Sequence, residues 1–517
     1  MTRRVVLALA VVMCTVAGAC TAGPSNRPPV VENDGPLPPV SPATGPPATP
    51  PLPPLEEPRE NGVEWKDCAA DTGKRLGGQP VPANLQVSCG RVSTPLDAPE
   101  LPGRGILRID LLKAGTGPVP LVVLNDIDGE PGTLYALRLA QSLPPELLQR
   151  FSLIGVDRRG SGQSDPVRCI PAEVRGELIG FDPAQESVEP LLDAARQAGQ
   201  QCGITMEDDQ GAFDSWRTAG DLDEIRSQLG LSKLNALARG EGSQVLGAYA
   251  VRFTDKVGRF VLDGAPDPSP DVASVHDAQA AGGEAALAAF GADCAQRGCA
   301  LGGDAKTVVA GLLDQLRVTG QPTGDGTLLS PGLAMHAINA GLAQRQRWPE
   351  LADAIAAARS GDGTKLAAFA DPLRMDDSVN PTRLDSGIAT RCNDTTVRLS
   401  ADQIDTISRD LRGRYPVYGG FVTQRLAWCS PWPVPTQALP PLSKPGVPPV
   451  LLVSTAGDPL TSEQGTTRAA EQMPSGVRIG WQGAGHGAVG ASACVGEKVR
   501  DFLIDAKIPN DGTLCPA

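Results

Sequence analysis

Three histidines, twelve cysteines and one crowded run of carboxylates are the side chains of this 517-residue chain best suited to chemistry. Histidine moves protons near neutral pH, and cysteine can bind metal, attack an electrophile or pair oxidatively. The histidines are His276, His336 and His486, and no Cys-x-x-Cys pair accompanies them. No zinc site and no cofactor are therefore expected. Asp126, Asp128 and Glu130 sit close together, and Glu241 stands alone further on. Their spacing does not complete an EF-hand, so a cation held by these four acids is a speculative reading.

Two cysteines lie near the N-terminus. Arg3 and Arg4 precede an apolar run over residues 5–12, which is too short to span a bilayer. Ala17-Gly18-Ala19-Cys20 follows and resembles a bacterial lipobox. That resemblance implies a signal peptide over residues 1–19, cleavage before Cys20 and lipidation of it. Residues 24–58 hold 14 prolines among Ser, Thr, Ala and Gly. Proline lacks an N–H and favours extended backbone, so residues 20–58 read as the anchor and a semi-rigid tether. The mature chain is expected outside the cytoplasm, on the membrane surface or secreted. The other ten cysteines are an even number, as disulfides in an exported chain require. Proximity suggests the pairs Cys68–Cys89, Cys169–Cys202, Cys294–Cys299, Cys392–Cys429 and Cys494–Cys515.

The elements that must hold these groups alternate between strand and helix. Residues 106–112 alternate apolar and polar, as a half-buried strand does. Residues 119–124 (VPLVVL) and 151–156 (FSLIGV) are wholly apolar, as strands covered on both faces are. Residues 219–229 have helical spacing, and 234–238 read as a strand followed by a helix over 243–252. Strands are expected again at 259–262, 448–453 and 477–481. This alternation predicts a mostly parallel sheet flanked by helices, with active loops at the strands' C-terminal ends. Residues 266–445 break the pattern with Ala-rich helical stretches at 275–290, 305–316, 335–343 and 348–358. They read as a helical cap inserted between a first core segment, 59–265, and a second, 446–517.

Four local motifs point to one family. Residues 151–166 read FSLIGVDRRGSGQSDP, residues 257–268 VGRFVLDGAPDP, residues 455–459 TAGDP, and residues 483–487 GAGHG. In that order, with Cys494 and Cys515 in the tail, the chain resembles secreted actinobacterial α/β-hydrolases with a tripeptidyl-aminopeptidase-like C-terminal region, relatives of proline iminopeptidases. The resemblance covers residues 65–515. It implies the α/β-hydrolase fold with a helical cap, and a Ser–acid–His triad in which Asp458 is the acid and His486 the base.

The nucleophile departs from that pattern. The elbow should follow the strand at 234–238, where the chain reads ALARGEGSQVLGAYA. Family members carry Tyr-Ala nine residues beyond the nucleophile, and nine residues before Tyr249 is Gly240. Its flanking positions, Ala238 and Gly242, are small, as the tight turn requires. Ser243 is the available substitute, but it would put Glu241 and the β-branched Val245 at the positions that must be small. Glu241 follows Gly240, where a backbone N–H normally serves the oxyanion hole. The oxyanion loop also differs, reading Asn125-Asp126-Ile127-Asp128-Gly129-Glu130-Pro131-Gly132. Developing negative charge needs N–H donors, not carboxylates.

Composition limits the partners. Forty-six basic against 59 acidic residues give a net charge of −13. Without clustered Lys or Arg, such a chain is a poor ligand for phosphate backbones, and no nucleic-acid partner is expected. The expected function is a silent α/β-hydrolase-fold protein that binds a small peptide or envelope-derived ligand, tied to the membrane by its lipid. The alternative is an active aminopeptidase- or esterase-type hydrolase using Ser243.

Overall fold

Ten strands form one sheet in the computed structural model, which describes residues 50–59, 62–435 and 438–517. The signal segment, Cys20 and most of the tether lie outside the described residues. In chain order the strands are β1 (Lys66–Asp67), β2 (Val87–Pro95), β3 (Ile106–Ala114), β4 (Val119–Leu124), β5 (Phe151–Val156), β6 (Leu234–Arg239), β7 (Val257–Asp263), β8 (Val450–Gly457), β9 (Gly476–Ala484) and β10 (Thr513–Cys515). Their spatial order is β1-β2-β3-β5-β4-β6-β7-β8-β9-β10. The first three strands join antiparallel, β3 also meets β5 antiparallel, and every pairing from β5 to β10 is parallel.

The apolar runs sit where a two-sided burial needs them. In β4, Leu121 and Val123 face one core while Val122 and Leu124 face the other. The strand period of two turns a continuous apolar run into two buried faces. Each such side chain contributes about 1.5–3 kcal/mol through burial. The segments expected as strands all appear: 119–124 and 151–156 with the same bounds, the one expected at 448–453 shifted to Val450–Gly457, and the others lengthened by one to four residues. The sequence reading omits β1, β2 and β10. β2 (VSCGRVSTP) is a half-exposed edge-side strand whose Gly90 and polar residues hide its alternation, and it gains its regularity from a nine-residue register with β3, Val87 to Ala114 through Pro95 to Ile106.

Six helices matter for the site: α1 (Gly132–Ala140), α2 (Gly242–Arg252), α3 (Val272–Arg297), α4 (Pro331–Ala343), α5 (Leu384–Asp394) and α6 (Gln424–Cys429). α3 to α6 belong to the stretch between β7 and β8, where the only strands among the described residues are a two-residue hairpin, Gln321–Pro322 with Leu328–Leu329. Disulfides join Cys68–Cys89, Cys169–Cys202, Cys294–Cys299, Cys392–Cys429 and Cys494–Cys515. No helix among the described residues is long and apolar enough to cross a membrane.

Arg159, in the turn after β5, fastens the sheet to its surroundings. It is buried, pairs with Asp221 at 2.6 Å, and donates to the carbonyls of Pro95, Leu96 and Ala212. A guanidinium offers five donors in a fixed fork, so one side chain ties three segments together.

Candidate functional site

The C-terminal ends of β4, β6, β8 and β9 converge on His486. β8 runs into Asp458, whose side chain is fully buried and held from several directions. Its Oδ1 accepts from the N–H groups of Leu460 and Thr461, at 2.8 and 2.9 Å. Its Oδ2 accepts from Thr461 Oγ1 and the Gly487 N–H, both at 3.1 Å. Asp263, at the end of β7, accepts from the Ala488 and Val489 N–H groups and so fixes the loop beyond His486. The imidazole of His486 then meets Asp458 through Nδ1, 3.0 Å from Oδ1.

The elbow lies between β6 and α2. Gly240 has φ +55°, in the left-handed region that L side chains rarely adopt. Its N–H donates to the Asp263 carbonyl at 2.9 Å. A Cβ on Gly242 would stand 3.0 Å from Leu124 Cβ and 3.2 Å from the Asn125 N, so this position also wants a small residue. The strand–turn–helix geometry of a nucleophile elbow is therefore present around a residue that carries no side chain.

Asp126 fills the space in front of Gly240. A Cβ built on Gly240 would stand 1.9 Å from Asp126 Oδ1 and 2.6 Å from Oδ2. Asp126 Oδ2 lies 2.7 Å from His486 Nε2, and Oδ1 accepts from the Glu241 N–H at 2.9 Å. One carboxylate thus engages both the ring nitrogen a serine hydroxyl would face and the backbone donor that would serve an oxyanion. The sequence puts Asp126 on the expected oxyanion loop without linking it to the histidine. No local pattern carries that contact, because the two residues are 360 positions apart.

Electrostatics follow from this sandwich. Burial pulls the His486 imidazole down, but Asp458 and Asp126 outweigh it and push its pKa up to about 10. Burial likewise raises Asp126, and the attraction of His486 and Arg239, with the Glu241 N–H, overcomes it and holds the carboxyl well below the usual carboxylate range. At neutral pH His486 is an imidazolium donating to carboxylates on both sides. Such a ring has no lone pair free to take a proton from an alcohol or a water.

The other carboxylates of the loop are paired. Glu241 binds Arg391 through both oxygens and accepts from the Ile127 N–H at 3.3 Å. Asp128 binds the same Arg391 at 2.5 Å. Glu130 holds Arg138 in a bidentate pair of 2.6 and 2.9 Å. Gly129 closes a turn by donating to the Asp126 carbonyl at 3.1 Å. The four-acid cation site considered from the sequence does not assemble: the acids face guanidinium and imidazolium groups, and no group of metal-binding side chains is found among the described residues. Ser243 does not reach the histidine either. It is buried at the start of α2, and its Oγ donates to the Ala238 carbonyl at 3.2 Å. Arg391, on α5, is the residue the sequence reading missed; its basic character was visible, but its pairing with two segments of the core depends on how the cap folds back.

A cavity of about 280 Å³ opens over His486 and Asp126. Cap residues Phe421, Arg425, Trp428 and Arg383 wall it opposite the core. A larger, mainly apolar cavity of about 740 Å³ does not touch His486, but shares Arg425 and Trp428 with the smaller one.

The family model of TAP-like proteins matches residues 415–515. Serine protease Hip1 of Mycobacterium tuberculosis is 29% identical over 483 residues, covering 88% of this chain and 91% of Hip1. Tripeptidyl aminopeptidase of Streptomyces lividans is 25% identical over 484 residues, covering 88% of this chain and 86% of that protein. Carboxylesterase B of Mycobacterium tuberculosis is 28% identical over 455 residues, covering 83% and 86%.

Proposed function

We propose that this chain, whose residues 415–515 match the TAP-like family and which is similar to actinobacterial serine hydrolases and aminopeptidases, binds a ligand in the cleft over His486 without hydrolysing it. The observation that carries this reading is Asp126, whose carboxylate takes the place of the nucleophile, the partner of His486 Nε2 and the occupant of the Glu241 N–H at once. Acyl transfer needs an attacking atom, a base to receive its proton and an empty donor pocket for the oxyanion. Gly240 offers no attacking atom, His486 is already protonated, and the donor is taken.

A carboxylate can attack an alkyl carbon, giving an ester that water must then cleave. Activating that water needs a neutral imidazole. His486, charged between two acids, is unsuited to that task, so Asp126 reads as an occupant and not as a nucleophile. The test is direct. Purified protein should take no fluorophosphonate label, should leave p-nitrophenyl butyrate intact above background, and should gain no mass from an alkyl halide or epoxide. Turnover that disappears in His486→Ala would overturn the reading.

The site of action proposed is the cell envelope. The basic and apolar start of the chain, the lipobox-like Ala-Gly-Ala-Cys20 and the proline-rich tether support an exported, lipid-anchored protein, and five disulfides suit an oxidising compartment. Cys20→Ala should then move the chain from the membrane fraction to the soluble one. An unchanged distribution would remove the anchor. The ligand is proposed to be a small peptide or another envelope-derived molecule.

A further inference from the structure

We propose that the cleft over His486 selects small amphiphilic anions: Arg425 and Arg383 hold a carboxylate or phosphate, and the apolar body lies against Trp428 and Phe421. The proposal deepens the non-hydrolytic reading and rests on it, since it names the ligand class for the same cleft.

Most charges lining the cavity are already matched. Asp126 is matched to His486, Asp128 to Arg391 and Glu130 to Arg138. Arg239 donates to Asn125 Oδ1 at 3.1 Å and stacks 4.3 Å over the Tyr135 ring. Arg347 pairs with Glu350 at 2.9 Å and lies over Phe369. Arg383 and Arg425 remain. Both are half-buried in the cavity wall, and neither side chain makes a hydrogen bond or an ion pair with any described residue. Burial lowers the pKa of each guanidinium, and for Arg425 the neighbouring Arg391 lowers it further. The carboxylates nearby are spent on other partners and do not make up that loss.

A desolvated guanidinium without an acceptor is costly, and a bidentate oxyanion is the group that best relieves it. An ammonium would find the reverse. Each acid that could receive it is occupied, and the unmatched groups share its sign. The cavity therefore discriminates by charge, favouring an acid over an amine.

The backbone that carries the two arginines is tied together by a disulfide. Arg383 immediately precedes α5 and Arg425 lies on α6, and the Cys392–Cys429 disulfide joins these two helices. Trp428 stacks on His336, their ring centroids 5.7 Å apart, which fixes the apolar wall. Arg425 and Trp428 also border the apolar cavity of about 740 Å³, which adds apolar surface beside the anion site.

Isothermal titration of the full chain with octanoate, octyl phosphate and octylammonium tests this. One or both anions should bind and the ammonium should not; which anion binds tighter distinguishes a carboxylate source from a phosphate source. Arg425→Gln and Arg383→Gln should each weaken anion binding by about tenfold, the usual scale of one lost charge-assisted pair, with Arg425→Lys intermediate. Octylammonium binding as tightly as octanoate would overturn the proposal in the unmodified protein, whatever the folding of the variants. So would anion affinity within twofold of wild type in both folded Gln variants. Ester turnover in a parallel assay would instead sink the non-hydrolytic reading and leave charge selection to be judged by the head-group series.

Discussion

The side chain of Asp126 bridges the two halves of a hydrolytic site, 2.7 Å from His486 Nε2 through one oxygen and 2.9 Å from the Glu241 N–H through the other. Its position makes an ion pair of what would be a proton relay. The consequence reaches beyond the cleft, because a charged histidine between two carboxylates couples β4, β8 and β9 electrostatically.

That coupling gives stability a pH window. The folded pKa of His486 is about 10 against an ordinary 6.5, so its contribution is complete below pH 6.5 and is lost as pH rises toward 10. Asp126 works in the opposite sense: its folded pKa is depressed, so its contribution is present above the ordinary carboxylate pKa of 3.8 and is lost on acidification. Stability from the pair should peak between those limits. NMR titration should find the His486 ring still protonated at pH 8, and Asp126→Asn should bring its midpoint down by more than one unit. A wild-type midpoint near 6.5 would mean that the ion pair does not form in solution.

Ser243 provides a second check. Its Oγ caps the end of β6 by donating to Ala238 O, and His486 has both nitrogens occupied elsewhere. Ser243→Ala should cost about 1 kcal/mol for the lost hydrogen bond, measured by urea unfolding, and should alter neither labelling nor ligand affinity. A fluorophosphonate adduct on the wild type that vanishes in this variant would restore the serine-hydrolase alternative.

The sheet was legible in the sequence because buried parallel strands such as VPLVVL and FSLIGV are apolar without interruption. β2 was not, since its order comes from pairing with β3 and not from its own pattern. Gly240 could be placed at the elbow by counting from Tyr249, and its φ of +55° is a backbone property that glycine tolerates at no steric cost. What fills the resulting gap could not be read. Asp126 stood in a suspicious acidic loop, but its contact with His486 spans most of the chain and needs both β4 and β9 in place. Arg391 and Arg425 were hidden for a related reason: helical cap residues show their spacing in sequence, not the core residues they reach.

The Cys392–Cys429 bond should matter for binding as well as for stability. It clamps α5, which carries Arg391, to α6, which carries Arg425. A double Cys392→Ser/Cys429→Ser variant should lose about 2–4 kcal/mol of stability. If the clamp sets the cavity wall, octanoate affinity should fall at a temperature where the variant is still folded by circular dichroism. Unchanged affinity in the folded variant would show that packing alone fixes the two helices.

Rebuilding the nucleophile separates loss of one residue from occupation by another. Gly240→Ser alone should not create a hydrolase. Its Cβ would meet Asp126 Oδ1 at 1.9 Å, and a side chain at φ +55° adds about 1–2 kcal/mol of backbone strain. The variant should therefore melt lower than wild type and stay unlabelled. Adding Asp126→Ala removes the obstacle, frees the Glu241 N–H and leaves His486 with Asp458 as its single acid. The imidazole can then titrate nearer neutrality and face the new hydroxyl. The double variant should accept a fluorophosphonate at position 240 and hydrolyse p-nitrophenyl butyrate slowly above background. A folded double variant that does neither would show that the cleft has lost more of the hydrolytic geometry than its nucleophile.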